Sequence, residues 1–410
     1  MKYMDYFAFA MPFFVVAMIL ELIYQVTSRK KLYHFTDLIS NLSCGIGQQA
    51  IDVFLKIFVI AGYKYIYDHF RLFTIPVNFF TSVILFILID FSYYWFHRFA
   101  HRVNIMWGTH IVHHQSEEFN LSVALRQSWF DNIFNWFFYI PLAVFGFDDV
   151  SFFALFSFNT IYQFIIHTKA IKRLGFLELF MNTPSHHRVH HGQNSQYIDK
   201  NYGGVFIIWD RLFGSFENEG ESVIFGVTTP IYSTNPMRLN LSYWWSLGKN
   251  IKRIRKAKNK LLYLFNPPGK PIEDAANTLH LNKATIIASP PVSNSKRLLS
   301  LQTIYISVNF CIIISILLIL LNFKDGYNHL TKVQTTSFLI ISLSMIGEII
   351  DGKKWVRYFE LIRILILFYI SMLLMENLEL EMDYICWLVC AFLMFLYYRA
   401  FLKRKSDEVF

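Results

Sequence analysis

Residues 77–114 read VNFFTSVILFILIDFSYYWFHRFAHRVNIMWGTHIVHH, an apolar run that ends in histidines. A helix needs about 20 apolar residues to cross a bilayer, and Val77–Phe96 supplies them. His97 and His101 follow at once as H-x3-H, and His110, His113 and His114 form H-x2-HH. Residues three and four apart share a helix face, so each box is expected to point its imidazoles one way at a membrane edge. His187, His190 and His191 repeat the H-x2-HH spacing in HHRVHH. Ten of the 14 histidines lie between residues 97 and 191, far more than even spreading would put there.

The whole chain agrees with this reading. It is 54% hydrophobic and 16% charged over 410 residues, against roughly 25% charged in soluble domains. That excludes a disordered or collagen-like chain and disfavours a water-soluble enzyme. Further apolar runs are Ala8–Val26, Leu42–Ile66, a hairpin of Ile133–Phe147 and Phe152–Ile166, then Ile304–Phe323, Ser337–Ile350, Arg357–Met375 and Tyr384–Leu402. The expectation is an all-α, multi-pass membrane bundle of nine crossings, the hairpin spanning or re-entrant. The first run lacks a small-residue cleavage site and precedes Arg29, Lys30 and Lys31, so it reads as a retained span.

Basic residues favour cytoplasmic loops. The triplet at 29–31 places the first span's far end inside. Arg98, Arg102, Arg126, Lys353, Lys354, Lys403, Arg404 and Lys405 then fall inside as well. Asp148, Asp149, Glu376, Glu379, Glu381 and Asp383 fall outside; Lys64, Arg71, Lys324 and Lys332 are exceptions. The three boxes and the C-terminus are thus expected on the cytoplasmic side. The division expected is an oxygenase domain over 1–230, a cytoplasmic extension and linker over 231–300, and C-terminal spans over 301–410. The basic run Lys252–Lys260 suits lipid headgroups, with no nucleic-acid partner expected. Pro271, Pro290 and Pro291 mark the linker. Cys44, Cys311, Cys386 and Cys390 form no C-x2-C pair and imply neither disulfides nor a thiolate metal site.

Eight imidazoles from three segments are enough for two metal ions. Imidazole suits Zn, Cu, Fe and Ni; zinc stays open, while two irons that activate oxygen suit a site at the membrane edge, where lipid chains begin. Asn159, Gln163 and His167 repeat every four residues, which makes His167 a ninth ligand candidate. Asp90, Asn159, Gln163 and His186 are candidates to orient ligand imidazoles. Phe91, Tyr93, Tyr94, Trp95 and Phe96 form an aromatic rim. His34, His69, His280 and His329 are isolated and read as structural.

DFSYYWFHRFAH, NIMWGTHIVHHQSEEFNLSVALRQS, NTPSHHRVHHGQN and YIDKNYGGVFIIWDRLFGSF resemble the fatty acid hydroxylase/sterol desaturase superfamily over about residues 80–230, above all its members that cleave glyceryl ethers. The resemblance implies a non-haem di-iron centre on His97, His101, His110, His113, His114, His187, His190 and His191. It implies O2-dependent hydroxylation of the ether-linked carbon of a membrane lipid, releasing a fatty aldehyde and a glycerol derivative. Electrons would come from tetrahydrobiopterin, as in the animal members, or from a donor protein. Glu117 and Glu118 match the family's acidic pair and are candidate cofactor contacts. Arg102 departs from an acidic residue in the animal pattern. Two alternatives stay open: a sterol, hopanoid or fatty acyl hydroxylase or desaturase, and a divalent-metal transporter or metal-binding membrane protein. Against the transporter stands the lack of ligand-bearing residues at span centres.

Overall fold

Apolar runs in this chain leave no outlet for backbone polar groups except the helix itself, and helices are what they form. The structure, a computed structural model, describes residues 6–270, 300–376 and 383–402. The helices are α1 (Tyr6–Ser28), α2 (Phe35–Phe70), α3 (Phe79–Arg102), α4 (Asn104–His114), α5 (Asp131–Asn135), α6 (Ile140–Phe145), α7 (Asp149–Ile165) and α8 (Pro184–His190). They continue as α9 (Ile208–Leu212), α10 (Pro236–Arg253), α11 (Ala257–Phe265), α12 (Ser300–Asn322), α13 (His329–Ile350), α14 (Val356–Glu376) and α15 (Asp383–Tyr397). Among the described residues, β-type pairing is confined to two isolated bridges, Met181 with Phe206 and Gly192 with Phe225.

Among the described residues, six helices are long and apolar enough to cross a membrane: Ala10–Ser28, Phe35–Phe70, Phe79–Arg102, Leu301–Asn322, His329–Ile350 and Val356–Glu376. Ile385–Phe401 is a shorter apolar helix. The chain is a multi-pass membrane protein. Nine crossings were expected, and the difference lies mainly in the hairpin. Its first arm, Ile133–Phe147, breaks into α5, a 3-10 turn at Trp136–Phe138 and α6. Pro141, which brings no N–H, stands at the start of α6, where a missing donor is tolerated. Gly146 (φ 107°) closes α6, and any Cβ there would lie 2.0 Å from the Phe73 carbonyl. The second arm is α7, started by the Asp148 side chain accepting from the Ser151 amide at 2.9 Å. Pro271, His280, Pro290, Pro291, Glu379, Glu381, Lys403, Arg404 and Lys405 lie outside the described residues.

The chain divides into two compact units. One takes in residues up to Leu42, Leu55–Ile231 and the chain from Asn240; the other takes in Ser43–Phe54, Tyr232–Leu239 and the C-terminal helices. In the first, α3 starts from a capping box: Asn78 Oδ1 accepts from the Thr81 amide at 3.1 Å, and Thr81 Oγ1 accepts from the Asn78 amide at 3.0 Å. Tyr63, Leu85, Ile89, Tyr139, Leu142 and Phe152 pack α2, α3 and the hairpin together. Buried Glu21 on α1 accepts from Tyr33 Oη, the Leu121 amide and Thr168 Oγ1. It thereby ties α1 to the residue after His167. In the second unit, Glu360 and Arg363 on α14 form a buried ion pair at 2.6 Å, completed by Tyr305 and Asn309. A charge inside a span is tolerated when it is paired in this way.

Candidate metal centre

Box histidines reach one place because the chain reverses sharply around them. His97 and His101 occupy the last two turns of α3; after the single extended residue Val103 (φ −120°, ψ 119°), α4 sets off with His110, His113 and His114 in its final turns. α8, with Pro184 in its first turn, carries His187 and His190, and His191 closes it. His167 comes two residues after the end of α7. All nine are buried, none more than 8% exposed.

They form two groups. Donor nitrogens of His97, His101, His110, His114 and His190 lie within 4.8 Å of one another; so do those of His113, His167, His187 and His191. Each H-x2-HH box was expected to point one way. Instead, both are split: His113 departs from His110 and His114, and His190 departs from His187 and His191. Neighbouring helical residues lie about 100° apart, so one box feeds both groups. The groups meet where the rings of His114 and His191 stack at 4.4 Å.

Hydrogen bonds decide which nitrogens face inward. Nδ1 of His97 lies 2.8 Å from the Tyr202 carbonyl, that of His113 3.2 Å from the Arg126 carbonyl, that of His167 2.7 Å from the Gln163 carbonyl and that of His190 2.9 Å from the Lys200 carbonyl. A carbonyl only accepts, so each of these Nδ1 atoms carries the proton and leaves a lone pair on Nε2. Nε2 of His113 and Nε2 of His167 then face each other at 3.1 Å. Related Nε2 separations are 2.9 Å for His97–His110, 3.0 Å for His110–His114, 2.8 Å for His167–His187 and 3.2 Å for His187–His191. Nε2 of His101 and of His190 is buried with no hydrogen-bond partner. Opposed lone pairs in a dry cavity repel one another unless a cation lies among them.

Burial pushes His110, His114, His167, His187, His190 and His191 well below the usual imidazole range, and His113 down to about 4, with neighbouring imidazoles adding to the effect. They are neutral at pH 7, which is the ligating form. Ligand nitrogens at right angles, about 2.1 Å from an ion, stand about 3.0 Å apart, against about 3.4 Å in a tetrahedron. The separations of 2.8–3.2 Å, within groups whose donors all lie within 4.8 Å of one another, are those of ligands that could share an ion. The five-histidine group offers more donors than a tetrahedral zinc site uses, and the four-histidine group offers as many; the residues present fit bound metal.

The supporting candidates fall in different places. Asp90 was expected to orient ligand imidazoles. Its carboxylate instead accepts from Asn159 Nδ2 (2.8 Å), the Val205 and Phe206 amides (2.6 and 3.0 Å) and Trp209 Nε1 (2.9 Å). It acts on the loop that presents the Tyr202 carbonyl, one step removed from His97. Asn159 accepts from Gln163 Nε2 at 2.6 Å, and Gln163 holds His167 through its backbone carbonyl. His186 lies outside both groups, its ring edge-on to Phe216 at 5.3 Å. Glu117 is exposed, while Glu118 pairs with His34 at 3.2 Å and Lys169 at 3.5 Å; His34, read as isolated, therefore has a carboxylate partner. Of the aromatic rim, Tyr93 meets a box histidine, 5.2 Å from His97, whereas Tyr94 donates or accepts with Ser215 Oγ at 2.9 Å.

Several participants were missed in the sequence. Asp199 stands 3.7 Å from His101 Nδ1 and 2.7 Å from Arg102 Nη1. Phe119 walls the four-histidine group, 5.1 Å from His191 and 5.7 Å from His167. Trp107 walls the five-histidine group, 4.9 Å from His101. The signal available was DKNYGG after the third box, where polar and glycine residues promise an irregular backbone.

A fatty acid hydroxylase family model matches residues 82–215, which hold all nine clustered histidines. Alkylglycerol monooxygenase of Homo sapiens is 37% identical over 367 residues, covering 88% of this chain and 81% of that protein. The enzymes of the same name from Danio rerio and Xenopus tropicalis are 36% and 35% identical, covering 86% and 90% of this chain and 79% and 82% of theirs. No solved structure matches the chain. The site and fold thus define a membrane-bound, oxygen-dependent monooxygenase with non-haem iron. Within the fatty acid hydroxylases, the chain belongs to the alkylglycerol monooxygenase family.

Proposed function

We propose that this protein cleaves glyceryl ethers: it hydroxylates the alkyl carbon bonded to the ether oxygen, using two iron ions held by the five- and four-histidine groups. The observation that carries the metal reading is the facing of proton-free Nε2 atoms of His113 and His167 at 3.1 Å; the relatives named above support the substrate. Bound iron supplies the oxidant that an unactivated C–H bond requires. Insertion of one oxygen atom consumes O2, two electrons and two protons and releases water. The resulting hemiacetal breaks its carbon–oxygen bond to give a fatty aldehyde and a free glycerol hydroxyl. The chain's own part is to hold neutral imidazoles rigidly and keep water out with Phe119 and Trp107. Tyr93 sits on the span side of His97, where an alkyl chain arrives from the bilayer.

The basic loop residues Arg29, Lys30, Lys31, Arg98, Arg102 and Arg126 support a cytoplasmic position for the site. A reduced pterin such as tetrahydrobiopterin, or a donor protein, provides the electrons, with Glu117 and Glu118 as candidate contacts. Purified protein is expected to hold about two iron ions per chain, and its membranes to release fatty aldehyde from an alkylglycerol given O2 and reductant. Tightly held zinc without oxygen consumption would overturn the proposal. Loss of iron-dependent aldehyde release alone, with hydroxylated sterol or acyl products, would redirect it to another lipid.

A further inference from the structure

Three ligand candidates of the five-histidine group depend on one short segment. The Tyr202 carbonyl meets His97 Nδ1 at 2.8 Å, the Lys200 carbonyl meets His190 Nδ1 at 2.9 Å, and the Asp199 carboxylate faces His101 Nδ1 at 3.7 Å. To present acceptors this closely in sequence the backbone turns twice through the left-handed region, at Asp199 (φ 62°) and Asn201 (φ 55°). Asp and Asn adopt this conformation more readily than other non-glycine residues, and backbone of this kind gathers at functional sites when its surroundings hold it.

The surroundings do hold it. The Asn201 amide donates to the Ser215 carbonyl (3.0 Å), its Nδ2 to the His186 and Glu217 carbonyls (3.1 and 2.8 Å), and its Oδ1 accepts from the Glu217 amide (2.8 Å). Buried Asp210 accepts from the Tyr202 and Gly203 amides at 2.8 and 2.7 Å. Asn182 Nδ2 donates to the Gly203 carbonyl. The four-histidine group is oriented differently. Its Nδ1 acceptors are the neutral carbonyls of Arg126 and Gln163, on separate parts of the chain.

We infer that Asp199 is a positioning residue for His101, and that through it the segment Asp199–Tyr202 makes the two metal sites unequal, the five-histidine site being the more strongly held. This rests on reading the two groups as metal sites. At 3.7 Å the Asp199 carboxylate acts on His101 by its charge rather than through a hydrogen bond. It favours the tautomer with the proton on Nδ1 and the lone pair on Nε2, and loss of a partner that orients a ligand imidazole typically costs about 10–100-fold in metal affinity. Arg102 Nη1 pairs with the other carboxylate oxygen at 2.7 Å from the exposed side, whereas Asp199 itself is held in place by the backbone of the segment.

Asp199→Asn is the test, because Asn tolerates the left-handed conformation as well as Asp does and keeps the side chain's shape. Arg102→Gln is the comparison, removing the salt bridge while leaving the carboxylate. In the full-length iron-loaded protein, a chelator is expected to take one iron from Asp199→Asn about 10–100-fold faster than from the unaltered chain, and the other at an unchanged rate. Mössbauer spectra should show one of two iron signals altered, with the melting profile kept; Arg102→Gln should retain both irons. Unchanged release from Asp199→Asn, joint loss of both ions, or an equal effect of Arg102→Gln would each overturn the inference while leaving the metal reading intact. An unaltered chain that holds no iron would overturn both.

Discussion

Asp90→Asn changes one oxygen for an amide nitrogen inside a membrane span, and its effect can be worked from the contacts. Oδ1 accepts from Asn159 Nδ2 and the Val205 amide, and Oδ2 from the Phe206 amide and Trp209 Nε1. The new –NH2 has to face one of these pairs, setting donor against donor whichever way the amide is turned. Asp90 is fully buried, so no water can make good the loss. A buried donor left unmatched costs about 1–3 kcal/mol, and two cost about 2–6 kcal/mol. At roughly 2–4 °C per kcal/mol for a unit of this size, the melting temperature in detergent should fall on the order of 10 °C. The same loop carries the Tyr202 carbonyl that orients His97, so iron content should fall as well, although no ligand has been changed. Thermal unfolding followed by tryptophan fluorescence, with metal analysis of the same sample, reads both quantities. A variant that melts within a degree or two of the unaltered protein and holds its full iron would refute the reasoning, because the two hydrogen bonds lost would then contribute nothing.

Gly204→Ala should imitate this effect from the other side: a Cβ at 204 would lie 2.7 Å from Asp90 Oδ1 and 2.8 Å from Tyr93 Cδ1, so reduced stability and reduced iron are expected by the same two assays. His113→Ala and His190→Ala should each abolish lipid oxidation and lower bound iron, while expression and helical circular dichroism stay near normal, since the spans carry most of the folding. Unfolding of the membrane helices in either variant would show the metals to be structural. For the metal-free protein the pH dependence has a fixed sign. An imidazole held below its unfolded value of about 6.5 stays neutral in the fold while the unfolded chain takes up protons. Stability is therefore complete above about pH 6.5 and declines as pH falls toward the value of about 4 for His113. Acid titration by circular dichroism checks this, and stability rising between pH 6.5 and 4 would contradict it.

Much of this was legible because it is local. The run Val77–Phe96 has one low-energy answer in lipid, a helix, and a histidine spacing of three or four on that helix forces imidazoles to one side. The stripe Asn159–Gln163–His167 belongs to the same class: its period placed His167 among the metal candidates before any fold was known. The hairpin arm Ile133–Phe147 was less legible, since apolar composition does not distinguish a continuous helix from short pieces broken at Asn135 and Pro141.

What needed the fold is the partition of the boxes. Spacing along a helix says that His113 and His114 are both available, but the segment each one meets depends on how α4 folds back on α3 at Val103 and on where α8 comes to rest. The acceptors that fix the tautomers are farther still from sequence patterns. The Tyr202, Lys200, Arg126 and Gln163 carbonyls belong to the backbone, which every residue has, and their direction comes from φ and ψ alone. Asp199 was unremarkable in the sequence for the same reason: a carboxylate in a polar loop becomes a neighbour of His101 only through two left-handed residues locked by Asn201 and Asp210. Side-chain chemistry thus announced that metals could be held near the end of α3, and long-range packing decided which nitrogens gather in which group.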